Sequence, residues 1–392
     1  MNIGKENEIK ILEAAFSKNI FSRAQLSTIT GINKVTMSDI VKKYLDINLL
    51  SELGSGEPSI QGGRRPLNLT FNSLYGFFVC IDLDKDNYSY IFTDCTCKPI
   101  LYVKKYINDI SLVDLNSIAL EVLEKSTDFH SKYDKGLLAI TLSLHGIVNN
   151  NEILLAKAYN ISKLNEVFNN NFKEIPVYIE NEANLSAIAD LAFTKNLSSS
   201  VTISIHSGVG AGIIIEKKLF KGNIGVAGEI GRMTFYDEST KKEVKIGDLI
   251  SQKSLIDKFN KMTDYPISTP EEFIELYKNR NSTAVNLIEY MKYQLLKLIE
   301  TVYYFYDPQI IFINSKFVNE IPNFIKDLKN MFYTNIHTSF PLKETVKIKN
   351  SITPDISSLI GGSILCAKYF FNFNNIPVFN NPPLLEDYYK NI

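Results

Sequence analysis

Apolar residues open the chain at helical spacing: Ile9, Leu12, Ala15 and Phe16 line one face of a helix predicted over residues 5–18. Ser22, with Gln25 three residues on, has the form of a capping box and starts a second helix. That helix runs through Ala24, Leu26 and Ile29 and stops at Thr30 and Gly31. Asn33 caps a third helix, whose apolar face is Met37, Ile40, Val41, Tyr44 and Leu45. Residues 49–53 and 65–69 read as two short strands joined by a Gly/Ser/Pro-rich loop. From residue 71 the pattern changes. Strands are predicted at 76–81, 89–93, 137–143, 177–180 and 310–314, and helices near 112–125, 161–169, 183–195, 283–305 and 357–370. Such alternation predicts α/β layers.

A glycine in a short turn between two short helices suits a helix-turn-helix, and the strand pair after it suits a wing. The polar face of the third helix carries Lys34, Thr36, Ser38, Lys42 and Lys43. Its first three are placed for base edges in a major groove, and the last two for phosphates. The return arm of the wing reads Gly62-Gly63-Arg64-Arg65-Pro66. Two arginines on a glycine base can enter a narrow minor groove. The same residues also fit a plain three-helix bundle with a solvated face and a basic linker. Charge does not separate the readings: residues 1–70 hold nine Lys and Arg against seven Asp and Glu, within a net charge of −1.

A length of 392 residues predicts two or three domains, and a hydrophobic content of 45% is enough for real cores. The four cysteines (Cys80, Cys95, Cys97, Cys366) and four histidines show no zinc-ligand spacing, which fits a reducing cytoplasmic location. The first thirty residues are charged and amphipathic, unlike a signal peptide, and no apolar run reaches membrane-spanning length.

The densest chemistry lies further along. A β-rich run from Val201 enters a glycine cluster, Gly208, Gly210 and Gly212. A second cluster, Gly225, Gly228 and Gly231, encloses Glu229 and leads to Arg232. Upstream stands Glu180-Asn181-Glu182. Glycines let backbone approach a ligand closely. Together these segments resemble the sugar-binding domain of the ROK family (repressors, open reading frames, kinases). The wing and its Gly-Arg-Arg-Pro arm resemble ROK repressors of the xylose-repressor type.

The resemblance implies a winged helix-turn-helix over residues 1–70 and a two-lobed, actin-like sugar-kinase domain over 71–392. Its small lobe is expected at about 71–183 with a returning helix at 356–392, and its large lobe at about 184–355. The sugar site is expected at Gly146, Asn181, Glu182, Gly208, Glu229 and Arg232. For Asn181 and Glu182 the other reading is a cap on the helix from Ala183, and for Gly208 it is only a tight turn. His145, where the family has proline, is read as structural.

Three departures separate this chain from the family's kinases. Their first hairpin reads Asp-x-Gly-Gly-Thr, whereas here Asp82-Leu-Asp-Lys-Asp-Asn-Tyr88 has no glycine to cradle phosphate and three acidic residues to repel it. Their late Gly-Gly pair is replaced by Asn314-Ser315. Their catalytic aspartate is replaced by Glu182, one methylene longer, a misplacement that catalysis tolerates badly. ATP binding is therefore expected to be lost, and no catalytic residue is assigned. The family's zinc loop is also missing. Residues 233–262 hold no cysteine or histidine, so zinc is expected absent, with Phe235 and Tyr236 packing in its place.

The expectation is thus a cytoplasmic, sugar-responsive repressor. It binds double-stranded operator DNA as a homodimer or homotetramer and is released by a monosaccharide, xylose, without a cofactor or a membrane. The alternative is a sugar kinase with a regulatory head. Residues 372–383, rich in Asn and Pro, are expected to begin an extended tail. Replacing Arg64 and Arg65 by alanine should weaken DNA binding and flatten its salt dependence, while sugar binding stays unchanged. Unchanged affinity at low salt would refute the minor-groove assignment.

Overall fold

The structure, a computed structural model, describes residues 3–55, 66–85, 87–107, 109–110, 114–156, 161–238, 240–339 and 346–379. Arg64, Arg65 and most of the expected tail lie outside them.

Helices α1 (Ile3–Phe16), α2 (Arg23–Thr30) and α3 (Lys34–Asp46) precede strands β1 (Leu50–Ser55) and β2 (Leu67–Phe71). The capping box forms as predicted: Gln25 N donates to Ser22 Oγ at 3.2 Å, and Ser22 N donates to Gln25 Oε1 at 2.8 Å. Gly31 ends α2 at φ 71°, a left-handed conformation that glycine adopts without strain. Asn33 Oδ1 caps α3 by accepting from Thr36 N at 3.0 Å. β1 and β2 pair antiparallel, and Phe21 adds a single bridge to Leu69. This is a helix-turn-helix followed by a hairpin.

The next elements are β3 (Phe77–Leu83), β4 (Asn87–Asp94), β5 (Pro99–Tyr106), α4 (Leu115–His130), β6 (Leu137–Leu144), β7 (Ile147–Asn149), β8 (Glu152–Leu155), α5 (Ile161–Asn171) and β9 (Val177–Asn181). After α6 (Glu182–Ala192) come β10 (Ser200–Ile205), β11 (Val209–Ile215), β12 (Lys218–Leu219), β13 (Thr234–Asp237) and β14 (Lys242–Lys245). Four helices follow: α7 (Ile246–Ile250), α8 (Gln252–Met262), α9 (Pro270–Lys278) and α10 (Ser282–Tyr306). The described fold closes with β15 (Ile310–Asn314), α11 (Lys316–Glu320), α12 (Phe324–Ser339), β16 (Lys347–Asn350) and α13 (Ser357–Phe370).

Two five-stranded sheets share one topology. The first runs β5-β4-β3-β6-β9 and the second β12-β11-β10-β15-β16. In each, the first three strands form an antiparallel meander and the last two add in parallel. Between the sheets lie α6 and α13. Every residue of α6 is buried, as is Ser357–Ala367 of α13. Such enclosure needs small residues at the contacts. A Cβ on Gly361 would sit 1.8 Å from the Leu185 carbonyl, and one on Gly212 would sit 2.2 Å from the Ala183 carbonyl.

The core around α6 and α13 continues without a break into the N-terminal helices. Phe16 of α1 packs on Phe71 at 5.2 Å, Phe371 at 5.9 Å, Phe373 at 5.1 Å and Phe379 at 5.5 Å between ring centroids. Asn375 N also donates to Glu13 Oε1 at 3.0 Å. The head is therefore seated on the end of α13 and shares its core.

Gly361→Ala tests the α6–α13 contact. On an exposed helix the change would stabilise by about 1 kcal/mol. Here the clash with backbone should reverse the sign and cost about 1–3 kcal/mol, read as a lower denaturation midpoint. A midpoint raised by the alanine would refute the close crossing.

Candidate functional site

The parallel strands β3, β6 and β9 of one sheet and β10 and β15 of the other point their carboxyl ends at one cleft, the place where open α/β sheets bind ligands. A cavity of about 370 Å³ lies there, with Asp82, Asp84, His145, Glu182, His206 and Asn314 in its lining. Asp82 is near the end of β3 and Asp84 just past it; His145 follows β6, Glu182 opens α6 after β9, His206 follows β10, and Asn314 ends β15. The fold thus collects six polar side chains that are up to 232 residues apart in sequence.

Three carboxylates and two imidazoles interleave. His145 Nε2 lies 3.8 Å from Asp82 Oδ2 and 3.8 Å from Asp84 Oδ1, beyond hydrogen-bond length but within strong Coulombic range. His206 Nε2 lies 3.5 Å from Glu182 Oε1. That oxygen also accepts from Ser186 Oγ and Ser204 Oγ, both at 2.9 Å. Ser143 Oγ donates to Asp82 Oδ1. Burial disfavours the charge on Glu182, but His206 and His145 outweigh it and hold the carboxyl down at about 2. Burial likewise opposes a charged His145, and Asp84 and Asp82 outweigh that, pushing it up to about 10. His206 is raised, again against burial, chiefly by Glu182.

One bond crosses the cleft. Ser207 Oγ, in the turn between β10 and β11, donates to Asp84 Oδ1 at 2.6 Å. The Asn314 amide nitrogen faces Ser186 Oγ and Ser204 Oγ at 3.2 Å, while its buried Oδ1 has no hydrogen-bond partner. A buried acceptor in that condition suits a ligand's donor. The cleft thus offers carboxylate acceptors and imidazole nitrogens, a pattern that matches hydroxyl groups.

Of the other residues expected at a sugar site, Asn181 and Gly146 meet at the first turn of α6. Asn181 is the N-cap of α6, accepting from Asn184 N at 3.2 Å, and its Nδ2 donates to the Gly146 carbonyl at 2.7 Å. A Cβ on Gly146 would lie 2.3 Å from the Leu155 carbonyl, so glycine is required there for packing. Gly208 belongs to the β10–β11 turn, where a Cβ would meet nothing within 4 Å. Glu229 accepts from Arg232 Nε at 2.5 Å across a short turn. The loop carrying them lies flat on β11: a Cβ on Gly228 would strike the Ala211 carbonyl at 1.9 Å, and one on Gly231 the Val209 carbonyl at 2.2 Å. Of the six, Glu182 alone lines the cavity.

Sequence reasoning passed over His206, and it read His145 as structural, whereas His145 lines the cavity between two carboxylates. The signal was the position of each polar residue directly after an apolar strand, as in Leu142-Ser-Leu-His145 and Ile203-Ser-Ile-His206. It also missed Glu180, which is buried and paired with Lys221 Nζ at 2.5 Å.

The segment expected to replace a zinc loop is the hairpin β13–β14 followed by α7 and α8. Phe235 packs on the core of the second sheet, but Tyr236 is 50% exposed, because neighbouring strand residues face opposite ways. The expected packing by Tyr236 is thus corrected. Among the described residues no group of three or more His, Cys, Asp or Glu side chains is arranged to hold a metal, and no helix is long and apolar enough to cross a membrane.

On α3, Lys34, Ser38 and Lys42 are exposed along one stripe, while Thr36 is half-buried. Lys43 turns toward α1 and pairs with Glu8 at 2.8 Å. Lys43 is itself exposed while it pairs with Glu8, and it lies 100° round the helix from Lys42. The exposed centre belongs instead to Val35, 73% accessible.

The ROK family matches residues 79–369. A xylose repressor of Staphylococcus xylosus is 32% identical over 386 residues, covering 95% of this chain and 97% of that protein. A xylose repressor of Lactiplantibacillus pentosus is 28% identical, covering 92% of each. A crystal structure described as a ROK family transcriptional regulator, homolog of E. coli MLC protein, superimposes with a TM-score of 0.74 over 94% of this chain and 97% of its own, at 19% identity. That likeness is one of fold.

The charge cluster sets a pH window. The raised His145 contributes stability in full below its ordinary value of 6.5 and loses it as pH climbs toward about 10. The depressed Glu182 contributes in full above 4.5 and loses it as pH falls toward about 2. His145→Gln should therefore lower the melting temperature most between pH 4.5 and 6.5, with the deficit shrinking toward pH 10. A deficit constant across that range would mean that the imidazole carries no such charge.

Proposed function

This chain belongs to the ROK family, and on that premise we propose that it is a cytoplasmic transcriptional repressor whose grip on operator DNA is released by a monosaccharide. The effector we propose is xylose, on the strength of relatives named xylose repressors that match nearly end to end. The helix-turn-helix and its hairpin hold DNA as a two-fold dimer, with α3 in the major groove and Arg64 and Arg65 on the backbone or minor groove. The sugar occupies the cleft at the start of α6, with Glu182, Glu229 and Arg232 as its polar contacts. Neither nucleotide nor zinc takes part.

The observation that carries the regulator reading over the kinase reading is Asp84. A phosphate needs donors at that hairpin, and here a carboxylate stands there, already bonded to Ser207 across the cleft. Glu182 is likewise occupied as an acceptor by two serines and drawn to about 2, a poor proton acceptor at neutral pH.

Release requires that sugar bind two conformations unequally. A coupling of about 1–3 kcal/mol is the usual range. The supporting continuity is physical: α6 begins at Glu182, α13 crosses it at Gly361, and α13 ends against Phe16 and Phe71 of the head. A change in cleft closure that moves α13 moves the seat of the head.

Fluorescence anisotropy on DNA from upstream of its own operon tests the reading. Salt-sensitive binding relieved by xylose, and not by glucose or N-acetylglucosamine, is expected. Binding indifferent to every sugar would overturn the effector, and ATP turnover on an aldose would restore the kinase. Glu229→Ala should abolish the sugar response and leave DNA affinity unchanged, whereas a retained response would place the sugar elsewhere.

A further inference from the structure

Helix α3 presents Met37, Ile40, Val41 and Tyr44 to the core of the head. At about 100° per residue, the direction opposite that face falls on Val35, Asp39 and Lys42. All three are exposed. Val35 is 73% exposed, and no large apolar side chain described in the head is more so. A lone exposed valine needs no explanation on a protein surface. The place of this one does. It stands in the first turn, two residues after the cap at Asn33, where alanine would make the better helix. So exposed, its two methyl groups add little to the fold.

The surroundings identify what meets them. Lys34 lies about 100° to one side of Val35, and Lys43, held by Glu8, about 80° to the other. Two ammonium groups thus flank an apolar centre, a layout that complements a groove between two phosphate strands. Asp39, one turn beyond Val35, excludes a strip lying along the phosphates, because like charges would face each other there. Among base edges a carboxylate meets amino groups instead. The N-terminal end of a recognition helix is the part that reaches those edges. Valine has no donor or acceptor to offer them. Only one base edge in the major groove is apolar, the C5-methyl group of thymine.

We propose that Val35 packs on the C5-methyl group of a thymine in the major groove of each operator half-site and so selects a T·A pair there. The assignment rests on the reading of this chain as an operator-binding repressor, and it adds a specificity contact that the polar residues of α3 do not supply.

Uracil interference on duplex DNA from upstream of the chain's own operon tests it. Deoxyuridine differs from thymidine only in lacking the C5-methyl group. Where deoxyuridine replaces a fraction of the thymidines, the bound and free pools reveal which methyl groups the full chain needs. The unaltered chain should need one in each half-site. In a synthetic duplex, removing that methyl should weaken binding about fourfold per half-site, the loss expected for one buried methyl group. Val35→Ala should weaken binding to the thymidine duplex by at least that factor. It should bind the thymidine and deoxyuridine duplexes alike, because both changes remove the same contact and do not add. An unchanged melting temperature checks that the variant is folded. An unaltered chain indifferent to every thymine methyl, or a Val35→Ala variant that keeps the unaltered chain's sensitivity at each of them, would overturn the assignment and leave the repressor reading standing. An unaltered chain that binds none of this DNA would sink the repressor reading, and the assignment with it.

Discussion

The structure depends on α6 being enclosed on every side. A helix can be surrounded in this way only where neighbouring backbones come within van der Waals distance of its own. Ala183 and Ala187 of the helix meet Gly210 and Gly212 of β11, and the Leu185 carbonyl meets Gly361 of α13. Enclosure also requires that every polar group on α6 be satisfied inside the protein, since an unpaired buried group costs several kcal/mol. Glu182 takes Ser186 and Ser204, Asn184 takes Glu180, and Asp190 takes Thr202, Ser351 and the backbone of Ile352. These bonds tie both sheets to one helix, so their relative placement follows from it.

That placement makes the cleft. Because the two sheets repeat one topology, their parallel strands end on facing rims, and the polar residue after each strand falls in the gap. Acid and imidazole accumulate there in near balance, each stabilising the other's charge against burial. Asp84, just past β3, accepts from Ser207 on the opposite sheet, so one side chain links the lobes.

The head is joined to the rest by aromatic packing. Phe16, Phe71, Phe371 and Phe373 form one continuous cluster between α1, β2 and the end of α13. Edge-to-face and offset rings have preferred geometries, so this packing holds the head in a defined orientation on the end of α13. A tether alone would pass on nothing.

Much was legible in the chain itself. The caps at Ser22 and Asn33, the stop at Gly31 and the apolar face of α3 depend on neighbours within a few residues, and β3, β4, β6, β9 and β15 with α4, α5, α6, α10 and α13 appear close to where the pattern placed them. β5, β7, β8, β12, β13, β14 and β16 were not anticipated, nor were α7, α8, α9, α11 and α12; β5, for one, is an edge strand whose residues are half-buried or exposed, so its pattern is weak. Asn181, Glu182 and Glu229 could be singled out in the chain, but their partners could not. The local chain could not show that Asn181 spends its amide on Gly146, that Lys43 leans on Glu8, or that Tyr236 faces outward. What the sequence by itself determined is the elements and the chemical character of the loops, because both rest on short-range hydrogen bonding and hydrophobic period. What only the tertiary structure decided is which glycines serve close packing, which charges meet in the cleft, and how the head is seated. Those outcomes depend on contacts between residues hundreds of positions apart, made only once α6 is enclosed.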